Sequence, residues 1–183
     1  MRKISLNICF VISSFLFSGQ ITAQSMSNDD LKNLMTAEWQ RAKAYTQEYM
    51  NTMPADKYSF KAIDSLRSFA QQLLHLASAN VFLMSQATGQ PPAPWVSFTL
   101  ENRTSAQSRD SVMYFVNASY DYVADAVKKC DPSKWKDEVK LFGFTTTKFA
   151  LMLKTFEHQT HHRGQTTIYI RELNIIPPQE KLF

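Results

Sequence analysis

The sequence predicts an all-α fold, a four-helix bundle that follows an N-terminal export signal. Four segments of twenty or more residues carry apolar side chains at helical spacing, and proline- or glycine-containing stretches separate them. No internal repeat and no strand-like alternation interrupts this pattern. At 183 residues, with 44% hydrophobic and 20% charged side chains, the chain fits one domain with a sizeable core and is unlike a disordered chain.

The first residues have the three-part order of a secretory signal. Residues 1–3 form a short basic segment, residues 4–17 are mostly apolar, and residues 18–25 are small and polar. Cleavage is expected after about Gln24, which leaves a domain of residues 25–183, periplasmic or secreted. The apolar run is too short for a comfortable membrane span, so no stable membrane anchor is expected after cleavage. A buried N-terminal helix is the alternative, and a mature chain that still begins at Met1, seen by mass spectrometry, would favour it.

Net charge and cysteine content argue against two features of the mature chain, a nucleic-acid partner and an intrachain disulfide. Loss of Arg2 and Lys3 leaves 18 basic against 16 acidic residues, too small an excess to indicate a nucleic-acid partner. Loss of Cys9 leaves Cys130 alone, so no intrachain disulfide is possible. We expect Cys130 to be partly buried at a helix end.

The first two helices are predicted over Asp29–Asn51 and Ser65–Ala87. The first has acids in its opening turn, and Pro54 follows its end. The second stops before Gly89 and a proline-rich connection. Its apolar face is Phe69, Leu73, Leu76, Leu83 and Met84.

The third helix is predicted to begin with a capping box at Thr104–Gln107 and to end at Asp131–Ser133. A loop with two apolar anchors, Trp135 and Phe142, is expected over 134–144. The fourth helix is predicted over about Thr146–Leu173, before a proline pair.

Three of the four histidines lie on the fourth helix. His158 and His162 are four residues apart and share a face, the spacing by which a helix offers two nitrogens to one metal. His161 is rotated by about 100° from His162, although its spacing from His158 does not exclude it as a ligand. His75, on the second helix, would be the third imidazole, because bundles build metal sites from facing helices. The alternative is a set of surface histidines that make polar contacts.

The stretch from His158 to His162 also resembles the zinc-protease helix pattern H-E-x-x-H. Gln159 occupies the position of the glutamate, and glutamine cannot act as a general base. Peptidase activity by that mechanism is therefore disfavoured. The sequence contains no P-loop, no G-x-G-x-x-G and no haem-attachment motif.

The segment His158–Gln165, with Tyr169, Arg171 and the following Ile176–Pro178, resembles the last helix of the DinB-like family. Arg67–Ala77 is similar to that family's other histidine helix, and the resemblance covers about 27–178. It implies a four-helix bundle in which His75, His158 and His162 hold a divalent metal, with zinc the first choice and nickel the second. It also implies a metal-dependent hydrolase, or a transferase that uses a low-molecular-weight thiol. An export signal is a departure from cytoplasmic thiol transferases.

Other residues of this helix have predicted roles around the metal. Gln165 and Tyr169 point in the same direction as His158 to within about 20°. We expect them either to hydrogen-bond to the metal ligands or to form walls of the pocket. Gly164 is expected to allow close approach of another helix, and Arg163 and Arg171 to form salt bridges with acids of other helices.

Two functions compete. The first is a metal-dependent enzyme acting on a small-molecule substrate, in which the nucleophile is an external thiol or water and not Cys130. The second is a non-enzymatic metal- or ligand-binding module, favoured because the sequence shows no acid or lysine base near the histidines. A purely structural exported bundle is a weaker third interpretation.

A homodimer through the fourth helix is also expected, because a second stripe runs along the side opposite the histidines. The alternative is that the first or third helix covers this stripe. Its members are Phe149, Leu153, Phe156, Thr160, Gly164 and Thr167.

Overall fold

The structure, a computed structural model, describes residues 26–182. Within them the chain forms four helices, α1 (Asn28–Thr52), α2 (Phe69–Thr88), α3 (Arg109–Lys129) and α4 (Lys148–Glu172). A short hairpin of strands β1 (Glu138–Leu141) and β2 (Phe144–Thr147) precedes α4. The predicted all-α bundle is confirmed. The predicted signal segment lies outside the described residues, and no helix among those described is long and apolar enough to cross a membrane.

Polar side chains define where α1 and α4 begin. The Ser27 hydroxyl accepts a hydrogen bond from the Asp30 backbone N–H, and Asp29 and Asp30 place negative charge at the positive end of α1. Thr147 caps α4 in the same way, by accepting from the Ala150 N–H. Both helices therefore begin within two residues of their predicted starts.

The predicted start of α2 at Ser65 was four residues early. Ser68 accepts from the Gln71 backbone N–H while the Gln71 side chain accepts from the Ser68 N–H, which is a complete capping box. The preceding segment folds back on itself, and the Phe60 carbonyl accepts from the Phe69 N–H. Gly89 ends α2 in the left-handed conformation, at φ 79°.

The capping box predicted at Thr104 is wrong. Thr104–Ala106 form an isolated 3₁₀ turn with no side-chain cap, and α3 begins after Ser108, which accepts from the Ser111 N–H. A second 3₁₀ turn over Leu100–Asn102 lies just before it. Leu100 is fully buried, so it fixes this connection against the bundle.

The loop predicted over 134–144 is replaced in part by the hairpin. Leu141 pairs with Phe144 across a two-residue turn in which both Phe142 and Gly143 have positive φ, 52° and 82°. The strands have four residues each, too short for alternation to reveal them. Trp135 is buried as predicted, but Phe142 is 69% exposed and does not anchor the loop.

The core lies where α2 packs against both α3 and α4, with α1 closing the bundle against α3 and α4. Trp39 of α1 sits at its centre, edge-on to the rings of Tyr120 and Phe156 at 5.7 and 5.2 Å. Cys130 is buried at the end of α3, as expected, and its Sγ accepts from Trp135 Nε1 at 3.4 Å.

Helix α1 covers part of the second stripe of α4. Phe156 packs on Trp39, and Thr167 Oγ1 lies 3.0 Å from Tyr49 Oη. Leu153 remains half exposed. The first helix therefore covers Phe156 and Thr167, as the alternative interpretation expected. The homodimer remains a prediction.

Replacing Ser68 by alanine should destabilise the protein, because it removes one half of the α2 capping box. We expect a loss of about 1 kcal/mol in the free energy of unfolding, measured by urea denaturation. Thr104→Ala is the matched control and should change stability by less than about 0.5 kcal/mol. A larger effect at Thr104 than at Ser68 would contradict the observed caps.

Candidate metal centre

Three histidines converge between α2 and α4. His75 projects from α2 towards His158 and His162, which lie one turn apart on α4. The ring centroid of His75 lies 5.4 Å from that of His158 and 4.6 Å from that of His162. Each imidazole offers one nitrogen within 4.8 Å of the other two. The structure thus brings together the three residues that the sequence indicated.

His161 lies outside this cluster. Its side chain is exposed, and its ring stands edge-on to that of His162 at 5.0 Å between centroids. The rotation of about 100° per residue places it on a different side of α4. Of the two neighbouring histidines, His162 is the one that faces α2.

A carboxylate that the sequence did not indicate orients His75. Glu101 Oε2 lies 2.8 Å from His75 Nδ1, and its Oε1 accepts from Arg67 Nε at 2.8 Å. Because a carboxylate only accepts hydrogen bonds, the contact favours the tautomer in which Nδ1 carries the proton and Nε2 keeps its lone pair. Leu100, buried beside it, holds Glu101 in place.

A glutamine orients His162. The amide nitrogen Nε2 of Gln72 lies 3.0 Å from His162 Nδ1 and, in this orientation of the amide, donates to it; Gln72 is almost fully buried. The other ring nitrogen, Nε2, lies 3.1 Å from His158 Nε2. When Nδ1 carries the proton, the amide carbonyl of Gln72 can accept from it after a half-turn of the amide group. Nε2 then keeps its lone pair, as in His75.

His158 has no such support. Its Nδ1 is buried and has no hydrogen-bond partner among residues 26–182. Its ring is the least constrained of the three, and it is also the one that borders a cavity.

Burial keeps the imidazoles neutral. Desolvation, followed by repulsion from the other imidazoles, lowers the pKa of His158 to about 4 and that of His162 to about 3. Desolvation and the Arg67 charge lower the pKa of His75, and Glu101 opposes part of that shift. At neutral pH all three rings therefore keep a lone pair, as metal ligation requires.

The geometry fits a divalent ion. Zinc–imidazole bonds of 2.0–2.1 Å in a tetrahedral site place ligand nitrogens about 3.3 Å apart. The Nε2 atoms of His158 and His162 are 3.1 Å apart, so either one of them donates a hydrogen bond to the other or a cation between them relieves the repulsion of two lone pairs. Three neutral nitrogens with carboxylate and amide support are typical of sites for zinc and related ions. The cluster could hold such an ion.

Two cavities flank the cluster. One of about 480 Å³ is lined mostly by polar and charged residues, among them Arg67, Gln72 and Glu101, which surround His75 and His162. Gln165 and Tyr169 also line it. Neither hydrogen-bonds to an imidazole, since Tyr169 Oη donates instead to the Arg67 carbonyl at 2.7 Å. The other cavity, of about 450 Å³, is mostly apolar and is bordered by His158.

The remaining motif residues face away from the cluster. Gln159 is fully buried towards α3, and its Oε1 accepts from Tyr120 Oη at 2.8 Å and from Arg163 at 3.1 Å. Arg163 lies over the Tyr45 ring at 4.6 Å and forms no salt bridge within the described residues, contrary to prediction. Gly164 is exposed, and a Cβ there would meet nothing within 4 Å, so the predicted close helix approach is also wrong.

Bundle and cluster together define a helical protein with a three-histidine candidate metal centre. The family model of the DinB family matches residues 26–180, and the chain belongs to that family. No curated protein gives a significant match.

Two solved structures share the fold. One is a DinB-like protein from Bacillus cereus ATCC 10987, with a TM-score of 0.68 and 15% identity over 80% of this chain and 95% of that one. The other is the DinB-like protein YjoA from Bacillus subtilis, with a TM-score of 0.62 and 19% identity over 82% and 96% of the two chains. At these identities the comparison establishes the fold alone.

Proposed function

We propose that the protein binds one divalent metal ion through His75, His158 and His162 and acts as a metal-dependent enzyme on a small molecule. The reaction is hydrolysis or the transfer of a group to a low-molecular-weight thiol. The observation that carries the proposal is the pair of contacts at the remote nitrogens of His75 and His162. Glu101 and Gln72 hold these rings so that their second nitrogens point into the cluster.

Zinc is the proposed ion and nickel the second choice, because neutral imidazole suits both. An ion held by three neutral ligands keeps its full charge, which lowers the pKa of a bound water or thiol towards neutrality. The protein's own contribution is to hold the ligands in place and to shape the two cavities beside them. Cavities of several hundred Å³ are the size that small molecules occupy.

A non-enzymatic metal-binding module is the alternative, and one contact favours it. Both carboxylate oxygens of Glu101 are engaged, one by His75 and one by Arg67. Glu101 is therefore a positioning residue, and it cannot also accept a proton from a substrate without losing one of these partners.

His162→Ala should remove the bound metal, whereas His161→Ala should retain it. Of these two neighbours, His162 offers a nitrogen to the cluster and His161 is exposed outside it, so His161→Ala is the matched control. The measurement is the metal-to-protein ratio by elemental analysis of untagged protein. Metal loss in the His161 variant with retention in the His162 variant would reverse the assignment.

Glu101→Gln should weaken metal binding by about 10- to 100-fold, because it removes the charge that orients His75. Competition with a chromogenic chelator gives the affinity. Glu157→Gln is the control, since Glu157 is an exposed acid beside His158 with no hydrogen bond or salt bridge among the described residues. Equal losses in the two variants would mean that net charge matters and the contact to His75 does not.

Any enzymatic activity should disappear with a chelator or with His158→Ala and survive Cys130→Ser. Cys130 is buried behind Trp135, and its Sγ donates to the Val127 carbonyl at 3.1 Å. The assay is a screen of small esters and electrophiles with and without added low-molecular-weight thiols. Activity that persists after complete metal removal would refute the mechanism, and a silent screen with metal bound would favour the binding module.

A further inference from the structure

The apolar cavity beside His158 has an unusual wall. It lies between the hairpin and helices α2 and α4, and its apolar lining residues are Leu83, Leu141, Phe142, Phe144 and Leu151. His158 is also in its lining, so the cavity borders the histidine cluster. A molecule that fills it would therefore place its end beside His158.

The hairpin turn carries a bulky residue where the backbone disfavours one. Phe142 has φ 52°, in the left-handed region, and forms with Gly143 a two-residue turn with both φ values positive. Asn, Asp or Gly is preferred at such a position, and a bulky side chain there is an outlier. Its ring is 69% exposed, so it contributes little burial that would offset the strain. Strained residues of this kind concentrate where ligands bind.

Aromatic rings form a surface that extends from Phe142 in the cavity wall to Phe82 and Phe98, which border a neighbouring cavity. Phe142 lies 6.0 Å from the Phe82 ring, which in turn lies 4.9 Å from Phe98. Phe144, in the cavity wall, is 76% exposed. Exposed aromatic clusters mark sites that bind an apolar partner.

The cavity contains one side chain with a fixed charge. Lys154 lies one turn before His158 on α4, at the cavity rim, and no acid lines the cavity. Its ammonium has no hydrogen bond or ion pair among residues 26–182. An apolar molecule that also carries a negative charge would complement both features.

We propose that this cavity is the subsite for a small carboxylate with an aliphatic or aromatic body. The apolar body packs against Phe142, Phe144 and Leu83, and the carboxylate lies near Lys154. That this carboxylate is a substrate rests on the proposed function, whereas its binding in the cavity does not depend on that function. Phe142 is held in its strained conformation to form the outer wall.

Octanoate and butyrate separate the contribution of the apolar body from that of the charge. Each buried methylene contributes about 0.8 kcal/mol, so octanoate should bind at least tenfold more tightly than butyrate. Octylamine, which has the same tail and the opposite charge, should bind more weakly than octanoate. Isothermal titration calorimetry of the purified protein gives the affinities, and the titrations are repeated after chelation, because both carboxylates can also reach a metal.

Phe142→Asn tests the wall without weakening the fold. Asn tolerates the left-handed conformation, so the melting temperature should be unchanged or higher, while the octanoate affinity should fall by about fivefold. Leu153→Asn is the control, since Leu153 is half exposed on α4 but does not line the cavity. It should leave octanoate binding unchanged.

Three results would overturn the subsite. The first is equal affinity for octanoate and butyrate, and the second is an octanoate affinity that Phe142→Asn leaves unchanged. The third is a dimer, seen by light scattering, that Phe142→Asn dissociates, because the aromatic surface would then be a contact between two copies. A preference for octanoate in protein that binds no metal would support the subsite and contradict the metal centre. Bound metal without the preference would do the opposite.

Discussion

The packing of α2 against α4 is the constraint on which the candidate site depends. His75 comes from one helix and His158 and His162 from the other, so the cluster exists only at this helix pair's separation and rotation. Fully buried Leu74 and Leu76 flank His75, and they fix its direction because any rotation of α2 would expose them. The same apolar contacts that stabilise the bundle therefore orient the first imidazole.

Many of the buried polar side chains of the bundle belong to one of two separate hydrogen-bond networks. Facing α1 and α3, Gln159 accepts from Tyr120 and Arg163, and Tyr120 also lies 2.7 Å from Thr46 Oγ1. Facing α2, Gln72 and Glu101 contact the imidazoles. Helix α4 lies between the two networks, which explains why its buried residues include many polar ones. Because a buried polar group without a partner is costly, each network fixes the rotation of α4 about its axis.

The sequence predicts those parts of the site that follow from helical periodicity. The i, i+4 relation of His158 and His162 indicated two of the three residues, and His75 was added because bundles build sites from facing helices and because its segment resembles the other histidine helix of the DinB-like family. Gln72 was overlooked, although it lies three residues before His75 and so on the same face. Glu101 could not be found in this way, since it lies in a 3₁₀ turn whose position depends on the burial of Leu100. The hairpin was missed because four-residue strands carry almost no periodic signal.

Errors around α4 have a common physical origin. Helical angles tell which residues share a direction, but they do not tell which neighbour fills it. Gly164 and Arg163 were assigned contacts with other helices. In the structure Gly164 faces open space, and Tyr45 rather than an acid receives the Arg163 charge. A guanidinium over an aromatic ring needs no carboxylate, so charge pairing was the wrong criterion.

Arg67 shows how the chain ties the site to the rest of the fold. Its side chain binds Glu101, which orients His75, and its backbone carbonyl accepts from Tyr169 near the end of α4. The residue immediately after it, Ser68, caps α2. One short segment therefore fixes the start of α2, the position of the 3₁₀ turn and the end of α4 relative to one another. Because one cavity is bounded by this segment and the other by the hairpin, mainly charged and polar residues lie on one side of the histidine cluster and mainly apolar residues on the other. A small molecule bound as we propose would therefore meet the Arg67–Glu101 ion pair on one side of the cluster and the rings of Phe142 and Phe144 on the other.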